Sequence, residues 1–241
     1  MKNGQKLYSC IVLSGGESRR MGQDKGSMII QDKPMILHIL DKLNYKINDA
    51  VIVLNDVERV AIYEELLNQY SEDTIYNKFD YKISFVDDEI KGKGPLSGIM
   101  TGLKNIKTNH AIVLPCDSPY IEPNYIDKMF KLLEETDFPD ALIPFNKEIN
   151  HEKDLLSEYN LFKNKNKLRK LTEEDKIKQS EPLHAVYSKN SGLLIEDLIK
   201  EDNLFIKDFI RKIDNKEFIF IDDDLIKEIN FKNINRIEDL D

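Results

Sequence analysis

Apolar residues fall into two kinds of run that alternate along the chain. Residues 8–13, 51–54 and 111–114 are short, nearly unbroken apolar stretches of strand length, and 83–86 alternates before it ends in Asp87-Asp88-Glu89. Between them, apolar positions recur every three or four residues. Met35, Ile36, Ile39, Leu40 and Leu43 follow Pro34, which suits the first position of a helix, and a second helix is predicted over 58–69. A third stripe runs through Ile99, Met100, Leu103 and Ile106, and Pro123 opens a fourth with Ile126, Met129, Phe130 and Leu133 inward. Strands alternating with amphipathic helices predict an α/β fold with a mostly parallel sheet. In such a sheet ligands bind beyond the carboxyl ends of the strands. The unusual loops of this chain follow strands, so four of them should converge on one crevice.

The first loop has the most specific chemistry. Leu13-Ser14-Gly15-Gly16-Glu17-Ser18-Arg19-Arg20-Met21-Gly22-Gln23-Asp24-Lys25 places three glycines and three cations at the end of a buried run. Gly15 and Gly16 lack the Cβ that would keep backbone amides away from phosphate oxygens, and Arg19, Arg20 and Lys25 supply charge for the same anion. The loop is not a P-loop, because Gly22 is followed by Gln23-Asp24-Lys25 and not by Lys-Ser or Lys-Thr. It is not a dinucleotide fingerprint either, since Gly15-Gly16 and Gly22 do not fit G-x-G-x-x-G. A nucleoside triphosphate suits it best. A solvated basic loop is the neutral alternative for a glycine pair alone.

Asp117 ends another buried run, between Pro115 and Pro119. A carboxylate presented rigidly beside a triphosphate suits Mg²⁺, which takes one or two carboxylates, phosphate oxygens and water. By itself the segment reads more readily as a turn closed by side-chain hydrogen bonds, and the first loop beside it makes the metal reading the better one. Asp87 is a second carboxylate for nucleotide or metal contact, beside Asp88 and Glu89.

Composition narrows the partners. With 241 residues, 41% hydrophobic and 33% charged, the chain can bury one sizeable core, and a single domain over 1–241 is expected. No segment approaches the ~18 consecutive apolar residues of a membrane span and no signal-peptide run opens it, so a cytosolic location is expected. A formal net charge of −9 argues against a nucleic-acid surface, so an anionic substrate must be drawn by a local basic cluster. Cys10 and Cys116 fall in or beside apolar runs and read as reduced core thiols.

The first loop closely resembles the signature of nucleotidyltransferases that activate sugars, alditols and pterins. Gly94-Pro95-Leu96-Ser97-Gly98, Pro115-Cys116-Asp117-Ser118-Pro119, Pro182-Leu183-His184-Ala185-Val186-Tyr187 and Asn233-Ile234-Asn235-Arg236-Ile237-Glu238-Asp239-Leu240 then follow in the order found in molybdenum cofactor guanylyltransferases. The chain resembles that family from residue 8 to its end. The resemblance implies a three-layer α/β/α, Rossmann-like fold with a mostly parallel sheet, of the nucleotide-diphospho-sugar transferase type. It implies transfer of GMP from GTP to molybdenum-molybdopterin, with Mg²⁺ required and a molybdoenzyme or chaperone as partner. Carried onto this chain, Leu13, Ser14, Gly15 and Gly16 would contact the nucleotide and Lys25 its phosphates. Asn55 would be a further nucleotide contact, with a register slip to Val53 open. Asp87, seven residues before Gly94, matches the nucleotide-site aspartate, Asp117 the metal-binding aspartate, and Arg20 a recurrent loop arginine placed on the phosphates.

Two alternatives stand beside this reading: a cytidylyl- or guanylyltransferase for molybdopterin or another phosphorylated acceptor, and a nucleotide-binding regulatory module without catalysis. His184 is expected on a strand near the acceptor, with a structural role equally compatible. Asn233 and Asn235 could reach the acceptor phosphate or cap the last helix, and capping is favoured. Residues 146–181, highly charged and Lys-rich, read as an insertion.

Overall fold

Tyr8–Ser14 forms the central strand β1, and its residues part to two sides as the pleat demands. Tyr8, Cys10 and Val12 enter one hydrophobic cluster and Ile11 enters another. β4 (Asp49–Leu54) and β6 (His110–Pro115) repeat the division, with Ile52 and Leu114 on the first side and Val51 and Val113 on the second. Burial on both faces is why these strands read as continuous apolar runs.

The computed structural model describes residues 7–14, 25–56, 58–70, 78–146, 171–220, 231, 233 and 234. The remaining strands are the two-residue pair β2 (Ile29–Ile30) and β3 (Lys33–Pro34), then β5 (Lys82–Asp87), β7 (Ala141–Phe145), β8 (Val186–Ser188) and β9 (Lys216–Phe220). Seven of them make one sheet in the order β5-β4-β1-β6-β8-β7-β9. β5, β4, β1 and β6 run parallel; β8 is antiparallel to both its neighbours, and β9 is parallel to β7.

Helices α1 (Met35–Leu40), α2 (Arg59–Asn68) and α4 (Pro123–Glu135) cover the first face, and α3 (Gly94–Asn105), α6 (Ser191–Lys200) and α7 (Ile206–Lys212) the second, completing the expected three layers. Gly102 lets α3 lie close on β1, since a Cβ there would stand 2.4 Å from Ile11 Cγ2. Cys10 and Cys116 are buried free thiols. Among the described residues no helix is long and apolar enough to cross a membrane.

Two expectations need correction. Pro34 is not the first residue of α1: it pairs with Ile29 as the end of β3, takes extended backbone, and the helix begins at Met35. The stripe to Leu43 is not one helix, because α1 stops at Leu40 and a 3₁₀ turn, Asp41–Leu43, follows. Within the charged stretch, residues 147–170 lie outside the described residues, but its far end is helix α5 (Glu173–Lys178). Thr172 and Asp175 form a reciprocal capping box there, and Ile177 is buried in the second cluster.

Candidate active site

The carboxyl ends of β1, β4, β5 and β6 surround one cavity of about 460 Å³, within the range of small-molecule sites. Leu13 comes from β1, Val53 from β4 with Asn55 just beyond it, Asp88 from the residue after β5, and Pro115 with Cys116 and Asp117 from the end of β6. Gly94, Pro95 and Gly98 bring the first turns of α3 to the same wall. A helix start carries unpaired amides and partial positive charge, which favours an anionic ligand. Gly92 and Gly94 have φ of +77° and +70°, a conformation costly for other residues, and so allow the tight entry into α3.

Lys25 opens a 3₁₀ turn, Lys25–Ser27, and its Nζ donates to Asp117 Oδ2 at 2.8 Å. The two side chains are only 20% and 16% exposed, so this ion pair is partly shielded from water at the cavity wall. The turn that carries Asp117 is pinned from outside the sheet. The Ile234 amide donates to the Asp117 carbonyl at 2.8 Å, and Ile234 is enclosed with Met28, Ile30 and Met35.

Ser118 continues the same turn. Its hydroxyl donates to Asn233 Oδ1 at 2.6 Å and lies 3.0 Å from His184 Nε2. With that proton committed to Asn233, Ser118 Oγ accepts from His184 Nε2–H, and Nδ1 carries the lone pair. Nδ1 is buried without a hydrogen-bond partner among the described residues. Burial pushes the imidazole down to about 3, which keeps the ring neutral. Asn233 lines the cavity and accepts from the Ser118 hydroxyl; Asn235 and residues 236–241, where the capped helix was expected, lie outside the described residues.

Most predicted site residues that are described come together. Leu13, Lys25, Asn55 and Asp117 line the cavity, and so does Val53, the alternative register for Asn55. Gly15, Gly16 and Arg20 lie outside the described residues. Ser14 is not among the lining residues; its hydroxyl is buried against Tyr63 at 2.6 Å. Asp87 does not line the cavity. Its Oδ2 pairs with Lys91 at 3.1 Å, and its Oδ1 is buried with no partner among the described residues.

Asp88 is the carboxylate on that wall, and its Oδ1 accepts from Ser97 Oγ, from Thr101 Oγ1 at 3.1 Å and from the Ile90 amide at 3.4 Å. Sequence reasoning missed it because Asp87 and Asp88 look alike in an acidic turn. The signal was the pair of hydroxyl residues, Ser97 and Thr101, one helical turn apart on α3. His184 sits in a 3₁₀ turn, Pro182–His184, and not on a strand; it is 2% exposed and does not line the cavity, while its neighbour Leu183 does.

Comparison with known proteins bears on the same region. Residues 10–211 match the family described as MobA-like NTP transferase domain. A probable molybdenum cofactor guanylyltransferase of Methanothermobacter thermautotrophicus is 30% identical over 236 residues, covering 98% of each chain. The molybdenum cofactor guanylyltransferase of Haemophilus influenzae is 34% identical over 122 residues, which span 50% of this chain and 55% of that protein. Among solved structures, molybdopterin-guanine dinucleotide biosynthesis protein A from Archaeoglobus fulgidus superposes with a TM-score of 0.63 over 96% of this chain and 94% of that one, at 24% identity, a likeness of fold. The family match takes in the strand ends that build the cavity, together with Lys25 and Asp117, and on that ground the chain belongs to the MobA-like NTP transferases.

Proposed function

We propose that this protein transfers GMP from GTP to molybdenum-molybdopterin, giving the guanine dinucleotide form of the cofactor and pyrophosphate. The observation that carries this reading is the Lys25–Asp117 pair, an ammonium and a carboxylate 2.8 Å apart on the wall of a nucleotide-sized cavity. In the reaction an oxygen of the terminal phosphate of the pterin attacks the α-phosphorus of GTP. A new P–O bond forms, the bond to the β-phosphate oxygen breaks, and pyrophosphate leaves with that electron pair. The nucleophile is already anionic, so no strong general base is needed. Positioning two polyanions and stabilising charge on the leaving group is the main task.

Each residue has a part in this. Lys25 binds the triphosphate and stabilises the charge that accumulates on pyrophosphate. The first turn of α3 orients its partial positive charge toward the same cavity. Leu13, Val53 and Asn55 bound the nucleotide, and Asn233, fixed by Ser118, faces the acceptor.

The donor set fits Mg²⁺. Asp117 offers one carboxylate beside the phosphate site, and among the described residues no group of three or more His, Cys, Asp or Glu forms a protein cage for a metal. A hard ion that completes its shell with phosphate oxygens and water matches that arrangement, and Asp117 would hold it. When bound, Mg²⁺ neutralises charge on the triphosphate. The reading also includes a single catalytic domain in a cytosolic setting, with the product passed to a molybdoenzyme or a chaperone.

The test is to incubate the protein with Mg²⁺, molybdate-loaded molybdopterin and equimolar GTP and CTP, and to identify the dinucleotide by mass. The guanine dinucleotide is expected. The cytosine dinucleotide would overturn the base assignment, and absence of both would overturn the acceptor.

A further inference from the structure

We infer that Tyr63 is a positioning residue for Lys25, acting through the backbone of the Lys25–Ser27 turn. The inference rests on the reading of Lys25 as the phosphate-binding cation. It concerns a side chain on α2 that does not line the cavity.

The Tyr63 ring is fully enclosed in the first hydrophobic cluster, 6.2 Å from the ring of Phe85. A phenol hydroxyl in such a place is costly unless it is hydrogen-bonded. This one shares a 2.6 Å hydrogen bond with Ser14 Oγ, at the end of β1 and itself 2% exposed. Gly26 rests directly on that pair. A Cβ at Gly26 would stand 2.3 Å from the Tyr63 hydroxyl oxygen and 2.8 Å from Ser14 Oγ, so the two oxygens occupy the space a side chain would need.

Glycine is required there for room alone, because Gly92 and Gly94 are the glycines with positive φ among the described residues. The peptide that follows Lys25 is therefore seated on a polar floor formed by α2 and β1. One further contact, the Met28 amide on the Lys25 carbonyl at 3.1 Å, closes the turn locally. From this seat Lys25 Nζ reaches Asp117. Tyr63 thus fixes the height of the turn above the sheet, and with it the place where the ammonium stands.

The effect is separable from packing. Tyr63→Phe keeps the ring and removes one oxygen, so the core is retained while Ser14 and Gly26 lose the floor. Gly26→Ala places a methyl against the Tyr63 hydroxyl in the wild type. In Tyr63→Phe the nearest ring atom to that methyl is Cζ, at 3.1 Å, so the alanine is better tolerated there. The two substitutions should be non-additive, as expected of residues in contact.

The experiment measures acetylation of Lys25 by N-hydroxysuccinimide acetate in the ligand-free protein, by peptide mass, in wild type, both single variants and the double variant. Steady-state kinetics and thermal midpoints accompany it. Tyr63→Phe is expected to acetylate Lys25 about tenfold faster, as befits loss of the Tyr63–Ser14 hydrogen bond that steadies the seat of its turn. The KM for GTP should rise by a similar factor, with the KM for the acceptor unchanged. The Gly26→Ala penalty should shrink in the Tyr63→Phe background. Equal acetylation rates in wild type and Tyr63→Phe, or strictly multiplicative effects in the double variant, would overturn the role of Tyr63. A wild type that transfers no GMP would overturn the proposed reaction, and the acetylation rates would still decide whether Tyr63 positions Lys25.

Discussion

Lys25 Nζ stands 2.8 Å from Asp117 Oδ2, and that contact joins the loop after β1 to the turn after β6. These two strands are paired parallel neighbours, with Leu13 opposite Pro115, so the sheet itself brings the cation and the carboxylate to one place. In the ligand-free protein each neutralises the other. On the proposed reading, the phosphates of GTP would compete for Lys25 and Asp117 would hold the metal ion, so nucleotide binding would open the pair.

Removing either partner should therefore damage catalysis far more than folding. Loss of one preorganised electrostatic contact costs about 3 kcal/mol, roughly a hundredfold in rate. Lys25→Ala and Asp117→Ala are each expected to lower turnover by at least that factor with thermal midpoints near wild type. Near-normal turnover in either folded variant removes that residue from the mechanism.

Asp88 organises the entry to α3. Three donors converge on its Oδ1, from Ser97, Thr101 and the Ile90 amide. Asp88→Ala strands them in a buried site and should cost about 3 kcal/mol in urea denaturation. Asp88→Asn keeps an acceptor oxygen in place and should recover most of that loss. A fully stable alanine variant would contradict this account of the α3 entry.

His184 gives the protein an acid sensitivity of defined sign. Burial lowers its pKa from the ordinary 6.5 to about 3, so the folded protein keeps it neutral while the unfolded chain protonates it near the ordinary value. Between those values the unfolded state binds more protons, and stability falls as pH drops from about 6.5 toward 3. Above that window the stability is fully present. The contribution lost is about 3 kcal/mol by pH 4. His38 and His110 are also lowered by burial, so the comparison must be with His184→Gln, not with a flat line. Denaturation of the variant from pH 4 to 7 should show a shallower decline; an unchanged slope would contradict the burial of a neutral imidazole.

Gly102 tests the packing of α3 on β1. A methyl there would meet Ile11 Cγ2 at 2.4 Å and Cγ1 at 2.8 Å, atoms close to the backbone of an enclosed strand and unable to swing away. Gly102→Ala should destabilise by about 1–3 kcal/mol despite its better helix propensity, read as a lowered denaturation midpoint. A stabilised variant would show that the helix can move off the sheet freely.

The parallel half of the fold was legible because its strands are buried on both faces. The run over 51–54 lies within Asp49–Leu54 and the run over 111–114 within His110–Pro115. Asp117 was legible for a related reason, since Pro115 and Pro119 restrict the backbone after such a run and hold the carboxylate between them at the strand end. The other edge of the sheet was not. β8 has three residues and β9 is only partly buried; outside that sheet, β2 and β3 pair separately with two residues each, too short for any period to show. Their hairpin turns on Gln31 and Asp32, both with positive φ, where the sequence lacks the glycine that usually marks such turns. The choice between Asp87 and Asp88 was hidden because the chain leaves the strand there and side-chain alternation no longer says which of the two lines the cavity. Tyr63 was invisible as a functional residue, since an aromatic on an amphipathic helix reads as core, and its hydroxyl acquires meaning only through Ser14 and Gly26.

The most direct test of the proposed reaction is pyrophosphate release with Mg²⁺ and molybdate-loaded molybdopterin, comparing GTP with CTP in wild type and Lys25→Ala. Release with GTP is expected to depend on the acceptor and to fall about a hundredfold in the variant. No release from wild type with either nucleotide, in a protein that binds GTP and is given competent acceptor, would contradict the proposed reaction.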